Sequence, residues 1–122
     1  MSDKKGKKIF DLEERLVEFS VAIVNFTEDL PSMRSAYHLG AQLVRSGTSP
    51  SLNYGEAKAA ESKKDFIHKM KVCLKELRES FNCLNILHKA KIFRSEEKIV
   101  ELIKECNELI AIFVTSINTA SK

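Results

Sequence analysis

The chain has 122 residues, of which 43% are hydrophobic and 30% are charged, and it carries a net charge of +3 and no tryptophan. This composition is typical of one soluble helical domain and excludes a β-sandwich and a disordered chain. No apolar run approaches the roughly 18 residues of a membrane span, and the N-terminus lacks a signal-peptide pattern. We therefore expect a cytoplasmic protein without membrane contact.

The first predicted helix follows a short basic arm. We expect a single domain over residues 1–122, in which residues 1–8 form a flexible arm with four lysines, Lys4, Lys5, Lys7 and Lys8. Apolar residues then recur at alternating spacings of three and four, which places them on one helix face. They are Ile9, Leu12, Leu16, Phe19, Ile23, Phe26 and Leu30. Asp11 and Glu14 are expected to cap this helix, and Pro31 to end it.

The second predicted helix runs from a cap at Ser32 to about Ala60 and contains Pro50. Proline has no N–H, so the carbonyl of Ser46 loses its helical partner at a cost of ~3 kcal/mol. We therefore predict a kink near Pro50. The polar residues around the proline nevertheless keep helical spacing, which indicates a helix that continues through it.

The third and fourth predicted helices each begin with a serine cap, at Ser62 and at Ser95. The apolar face of the third helix consists of Ile67, Met70, Leu74, Leu77, Phe81, Leu84 and His88, and the helix fades near Ala90. The apolar face of the fourth helix consists of Ile99, Ile103, Cys106, Ile110, Phe113 and Ile117.

The four predicted helices are joined by short links, which force neighbours to run antiparallel. The predicted fold is all-α, an antiparallel up-down-up-down four-helix bundle whose second helix is kinked near Pro50. The first and fourth helices carry further apolar residues beside the core face, which favours burial against another subunit. These residues are Phe10, Val17, Val21, Val24, Leu102, Leu109, Ile112 and Val114.

We find no pattern that predicts a catalytic residue, a metal site or a cofactor. A di-iron bundle needs two Glu-x-x-His pairs, and only Asp65 and His68 approximate one, because His88 follows Asn85 at that spacing. Cys73 and Cys106 lie in or beside apolar stripes, where a cysteine is a structural residue rather than a nucleophile.

A polar seam is predicted between the second and third helices. Its members are Gln42, Arg45, Ser46, Ser49, Asn53 and Glu56 on the second helix, with Lys69, Glu76 and Glu79 on the third. The favoured interpretation is that these side chains hydrogen-bond and fix the register of helices within or between bundles. The alternative is a ligand pocket.

A basic stripe is predicted on another face of the third helix. Residues 61–94 contain nine Lys and Arg against four Asp and Glu, a net charge of +5. At helical spacing this segment aligns Lys64, His68, Lys71, Lys75, Arg78 and Lys89, with Asn82 and Asn85 between the last two. Such a row, ~35 Å long, can follow a phosphate backbone without reading bases. The alternative is a solvated helix face, since no aromatic side chains are interleaved.

One set of residues resembles a known family. They are Gln42, Arg45, Ser46, Ser49, Asn53, Tyr54, Glu56 and Ala57, followed by Ser62, Phe66 and Glu76. With the core segment QLVRSGTSPSLNYGEA, they resemble the four-helix-bundle proteins of intervening sequences in large-subunit ribosomal RNA genes. The accessory variability proteins of diversity-generating retroelements look like distant relatives.

The resemblance implies a homo-oligomer, with a pentamer as the first expectation, and it implies RNA or DNA and a reverse transcriptase as partners. Together with the basic stripe, it predicts a noncatalytic oligomer that binds structured RNA or DNA through the third helix. The alternative is a protein-interaction scaffold that does not bind nucleic acid.

Overall fold

The computed structural model describes residues 11–122, and this part of the chain forms four α-helices and no strand. The helices are α1 (Leu12–Glu28), α2 (Arg34–Lys58), α3 (Lys63–Lys89) and α4 (Glu96–Ala120). Each helix packs on the next one in sequence, and α1 makes a sparser contact with α4. This arrangement confirms the antiparallel four-helix bundle. The basic arm at residues 1–8, Ile9 and Phe10 lie outside the described residues.

Three of the four predicted helix caps are confirmed. Backbone N–H groups donate to the side chains of Asp11 and Ser62 at 3.0 Å and to that of Ser95 at 3.3 Å. The predicted cap at Ser32 is wrong, because α2 begins at Arg34 and Met33 is its N-cap, without a side-chain hydrogen bond. A tight turn delays the helix, since the Met33 N–H donates to the carbonyl of Pro31 at 3.0 Å.

Pro50 lies inside α2, and the helix continues through it for eight residues. The ring is buried against the core, where its fixed φ suits a helix even though its missing N–H does not. The Cys73 thiol donates to the Pro50 carbonyl at 3.5 Å. The kink near Pro50 stays a prediction.

The buried face of α3 differs from the predicted one. Its members are Met70, Cys73, Leu77, Ser80, Cys83, Leu84 and Leu87, whereas Ile67, Leu74, Phe81 and His88 are only half-buried. The reason is that α3 packs against both α2 and α4. Its buried face is therefore wider than a single three-four row of residues, and it includes positions on the side of α2. Leu109 also belongs to the core rather than to an outer surface.

A close approach of α1 and α2 depends on a glycine. A Cβ atom at Gly47 would lie 2.9 Å from the side chain of Ile23, which is fully buried. The Ser20 hydroxyl also donates to the Gly47 carbonyl, at 3.3 Å. Any side chain at this position therefore has to push the two helices apart or displace Ile23.

We predict that Gly47→Ala lowers the free energy of unfolding by about 1 to 3 kcal/mol, because the new methyl group overpacks the α1–α2 contact. The matched control is Gly55→Ala in the same helix, where a Cβ would meet no atom within 4 Å. This control should raise stability by about 0.5 to 1 kcal/mol through helix propensity. Urea unfolding followed by circular dichroism measures the free energy of unfolding of both variants. An equal change in the two variants would contradict a close contact between Gly47 and Ile23.

Candidate nucleic-acid interface

The predicted basic stripe forms one exposed face of α3. Its six members, here called the basic face, are Lys64, His68, Lys71, Lys75, Arg78 and Lys89, and all of them are exposed. They lie opposite the buried side of the helix, as their three-four spacing requires. From Lys64 to Lys89 the axis measures ~37 Å, so these side chains form a straight row along the helix.

The charges of the basic face are not neutralised by ion pairs with other residues in the range 11–122. Five cations outside this face are paired: Arg15, Arg45, Lys58, Lys69 and Arg94. Lys69, on the flank of α3 that faces α2, binds Glu56 at 2.6 Å. The fold therefore pairs Lys69 beside the stripe and leaves the stripe itself exposed to solvent.

Acidic residues gather at a different place, the junction of α1 and α4. A groove of about 520 Å³ there is lined by Asp11, Glu14, Glu18, Glu101 and Glu105, with Arg15 among them. Arg15 donates to Glu105 at 2.7 and 2.8 Å and to Glu108 at 2.7 Å, and the bond to Glu105 is the main reason why the pKa of Arg15 rises. Because α1 lies diagonally across the bundle from α3, the acidic groove and the basic face occupy separate sides of the bundle.

The structure brings most of the polar seam together within one chain. Arg45 donates to Glu76 at 3.0 Å and also to Glu79. Next to this cluster, the hydroxyls of Ser46 and Ser80 are 2.8 Å apart, and both residues are fully buried. Lys69 and Glu56 form a separate pair toward the other end of the seam. Sequence reasoning missed Ser80. Its position seven residues after Cys73 places both side chains on the same face of α3, which could have indicated that Ser80 is buried as well.

The remaining seam residues do not bridge two helices. Asn53 donates to the Ser49 backbone carbonyl at 3.0 Å and to the Ser49 hydroxyl at 2.9 Å, both within α2. Gln42 is exposed. The bridging members of the seam are consequently Arg45, Ser46 and Glu56 with their partners on α3.

The three cysteines are buried and free. Each thiol donates to a carbonyl of a neighbouring helix, Cys73 to Pro50, Cys83 to Leu39 and Cys106 to Leu77. Burial raises the pKa of Cys73 and Cys106 to about 12 and that of Cys83 to about 11. At neutral pH these thiols are protonated, so they are poor nucleophiles and metal ligands.

Residues 11–122 contain no group of three or more His, Cys, Asp or Glu side chains arranged to hold a metal ion. A bilayer-spanning segment is also absent from the four described helices, since none combines the necessary length with sufficient hydropathy.

An uncharged surface covers the outer side of the α1–α2 pair. It exposes Val17, Val21, Val24 and Leu52, here called the apolar face, and Val21 and Leu52 are 53% and 70% exposed. Thr48 and Ser51 complete a shallow groove of about 290 Å³. The three valines are among the residues whose spacing predicts contact with another subunit, and the fold of one chain leaves them uncovered.

Comparison with known proteins identifies the family. The model of the 23S rRNA-intervening sequence proteins matches residues 10–115. The chain belongs to this family. A protein of unknown function from the S23 ribosomal protein family of Bacteroides thetaiotaomicron VPI-5482 has a similar crystal structure, with 30% sequence identity and a TM-score of 0.80 over 86% of this chain and 96% of that one. No curated protein matches the chain.

For this intervening-sequence family member we predict that Glu76→Gln lowers the free energy of unfolding by about 1 to 2 kcal/mol, because it weakens the charged bond between the half-exposed Arg45 and a mostly buried carboxylate. The Glu76 side chain is only 12% exposed. The same substitution at Glu56, which is 59% exposed, should cost less than about 0.5 kcal/mol because exposed ion pairs are weak. Thermal unfolding of both variants measures the difference, and a larger effect at Glu56 would contradict this ranking.

Proposed function

We propose that this protein is a noncatalytic oligomer that binds structured RNA or DNA, with the basic face in contact with phosphates. The observation that carries the proposal is the row of exposed cations along α3, which the fold leaves without ion-pair partners among the described residues. Lysine and arginine in such a row replace the counterions of a nucleic acid and gain affinity from their release.

The distribution of charge favours one side of the protein for nucleic-acid binding. The acidic groove between α1 and α4 repels phosphates, whereas the basic face attracts them. A nucleic acid therefore approaches from the α3 side. Because the contacts are to phosphates, we expect binding that depends strongly on salt and weakly on base sequence.

We propose the apolar face as the surface through which copies of the chain assemble, with a pentameric ring as the first expectation. In a cyclic ring each interface joins two different surfaces of the chain, so the apolar face forms one side of the interface and another surface of the next copy forms the other side. The apolar face carries no charge among Val17, Val21, Val24 and Leu52. The apolar face lies on α1 and α2, so the basic face of α3 is not part of this side of the interface.

The apolar face also favours the second candidate function, a protein-interaction scaffold. An exposed apolar surface fits a different protein as readily as a second copy. The reverse transcriptase implied by the sequence resemblance stays a prediction, as does the cytoplasmic location.

We predict that the triple variant Lys71→Gln, Lys75→Gln, Arg78→Gln binds a hairpin RNA with a weaker salt dependence. The slope of log affinity against log salt should fall by roughly 0.9 for each phosphate contact removed. Fluorescence anisotropy between about 50 and about 200 mM salt measures this slope. The matched control removes three exposed cations elsewhere, Arg34→Gln, Lys98→Gln, Lys104→Gln. An equal decrease of the salt-dependence slope in both variants would overturn the proposal, and so would a native chain that does not bind the RNA.

For the assembly, we predict that light scattering at micromolar concentration gives a mass several times the 13.8 kDa of one chain. Val21→Glu should reduce it to one chain without unfolding, because it places a charge in the interface at an exposed position. Val100→Glu on α4, also exposed, is the control and should retain the assembly. A native mass of one chain would contradict the oligomer and leave nucleic-acid binding to be judged by anisotropy alone.

A further inference from the structure

The way α3 is held in the bundle limits which nucleic acids fit the basic face. The helix packs against α2 on one side and α4 on the other, and packed helix axes are ~8 to 10 Å apart. The major groove of B-DNA is ~12 Å wide and admits a single helix. Because α2 and α4 cover the rest of α3, only its outer face is available to a nucleic acid, which favours a wide and shallow groove over a deep one.

The surroundings of the basic face also argue against a single-stranded ligand. Proteins that hold single strands without sequence preference stack the bases on exposed aromatic rings. Within residues 11–122 the exposed aromatic residue is Tyr37, on the α1 side of α2. The basic face therefore offers charge without a stacking surface, which fits a base-paired ligand.

Two amides within the row of cations provide a second kind of contact. Asn82 is exposed, four residues after Arg78, and Asn85 is half-buried one turn further on. The Asn85 amide nitrogen donates to the Phe81 carbonyl at 2.9 Å, which leaves its oxygen to accept from a ligand. Arg78 and Lys89 bracket these amides at a separation of ~16 Å along the axis. This order of groups allows the cations to contact phosphates on both sides of a groove while the amides reach its floor.

We propose that the basic face binds duplex RNA, with Asn82 and Asn85 hydrogen-bonded to ribose 2′-hydroxyls, an inference that rests on the proposed function. The minor groove of A-form RNA is wide and shallow, and it displays 2′-hydroxyls that both donate and accept hydrogen bonds. A ridge such as α3 reaches these groups without entering a deep groove. DNA offers no hydroxyl at this position, so the amides favour RNA over DNA.

The test compares four probes of one sequence by fluorescence anisotropy: duplex RNA, duplex DNA, the RNA duplex with 2′-O-methyl groups, and single-stranded RNA. The native chain should bind duplex RNA most tightly. The double variant Asn82→Ala, Asn85→Ala should lose roughly threefold to tenfold in RNA affinity for each amide removed and keep its affinity for DNA. Methylation of the 2′-hydroxyls should weaken binding by the native chain and leave the double variant unaffected.

The control for the amides is Asn25→Ala on α1, which is exposed and lies diagonally across the bundle from α3, and it should leave all four affinities unchanged. Equal binding of duplex RNA and duplex DNA, a preference that survives the double variant, or tightest binding of the single strand would each overturn the RNA inference while the proposed function stands. Failure of every probe to bind at low salt would instead overturn the proposed function.

Discussion

The packing of α2 against α3 determines which side of α3 faces solvent. Three contacts fix this relation: the hydroxyl pair of Ser46 and Ser80, the thiol of Cys83 on the Leu39 carbonyl, and the charged bond of Arg45 to Glu76. A shift of α3 by one residue rotates its side chains by ~100°, which would bury cations of the basic face and expose the serine. The polar seam therefore acts on function indirectly, because it keeps the row of cations outward.

The bundle separates three kinds of surface on one chain. The basic face belongs to α3, the acidic groove to α1 and α4, and the apolar face to α1 and α2. Each is produced by helix positions that the core does not use. Since the core of a bundle occupies only about one face of each helix, the outer faces can diverge in charge without a cost in packing.

Much of the fold follows from local rules that act along the sequence. The caps at Asp11, Ser62 and Ser95 were predictable because a side-chain acceptor precedes each helix, whereas the start of α2 depends on a turn at Pro31 that composition does not reveal. The face of α3 was misplaced because Cys73 and Ser80 are small, and their burial depends on the neighbouring α2 rather than on hydrophobicity. The pairing of Arg45 with Glu76 requires the register between two helices, which a single sequence does not specify. The row of cations, in contrast, was visible directly, because charge and helical period suffice to align it.

The buried thiols have a consequence for how the bundle opens. Since Cys73, Cys83 and Cys106 are protonated at neutral pH and enclosed by packed helices, an alkylating reagent meets them only when a helix separates from its neighbours. Cys73 and Cys83 lie toward α2, and Cys106 lies between α3 and α4. The rate at which each thiol is alkylated consequently reports on transient helix separation. Cys73 and Cys83 report on two positions along the α2–α3 contact, and Cys106 reports on the α3–α4 contact.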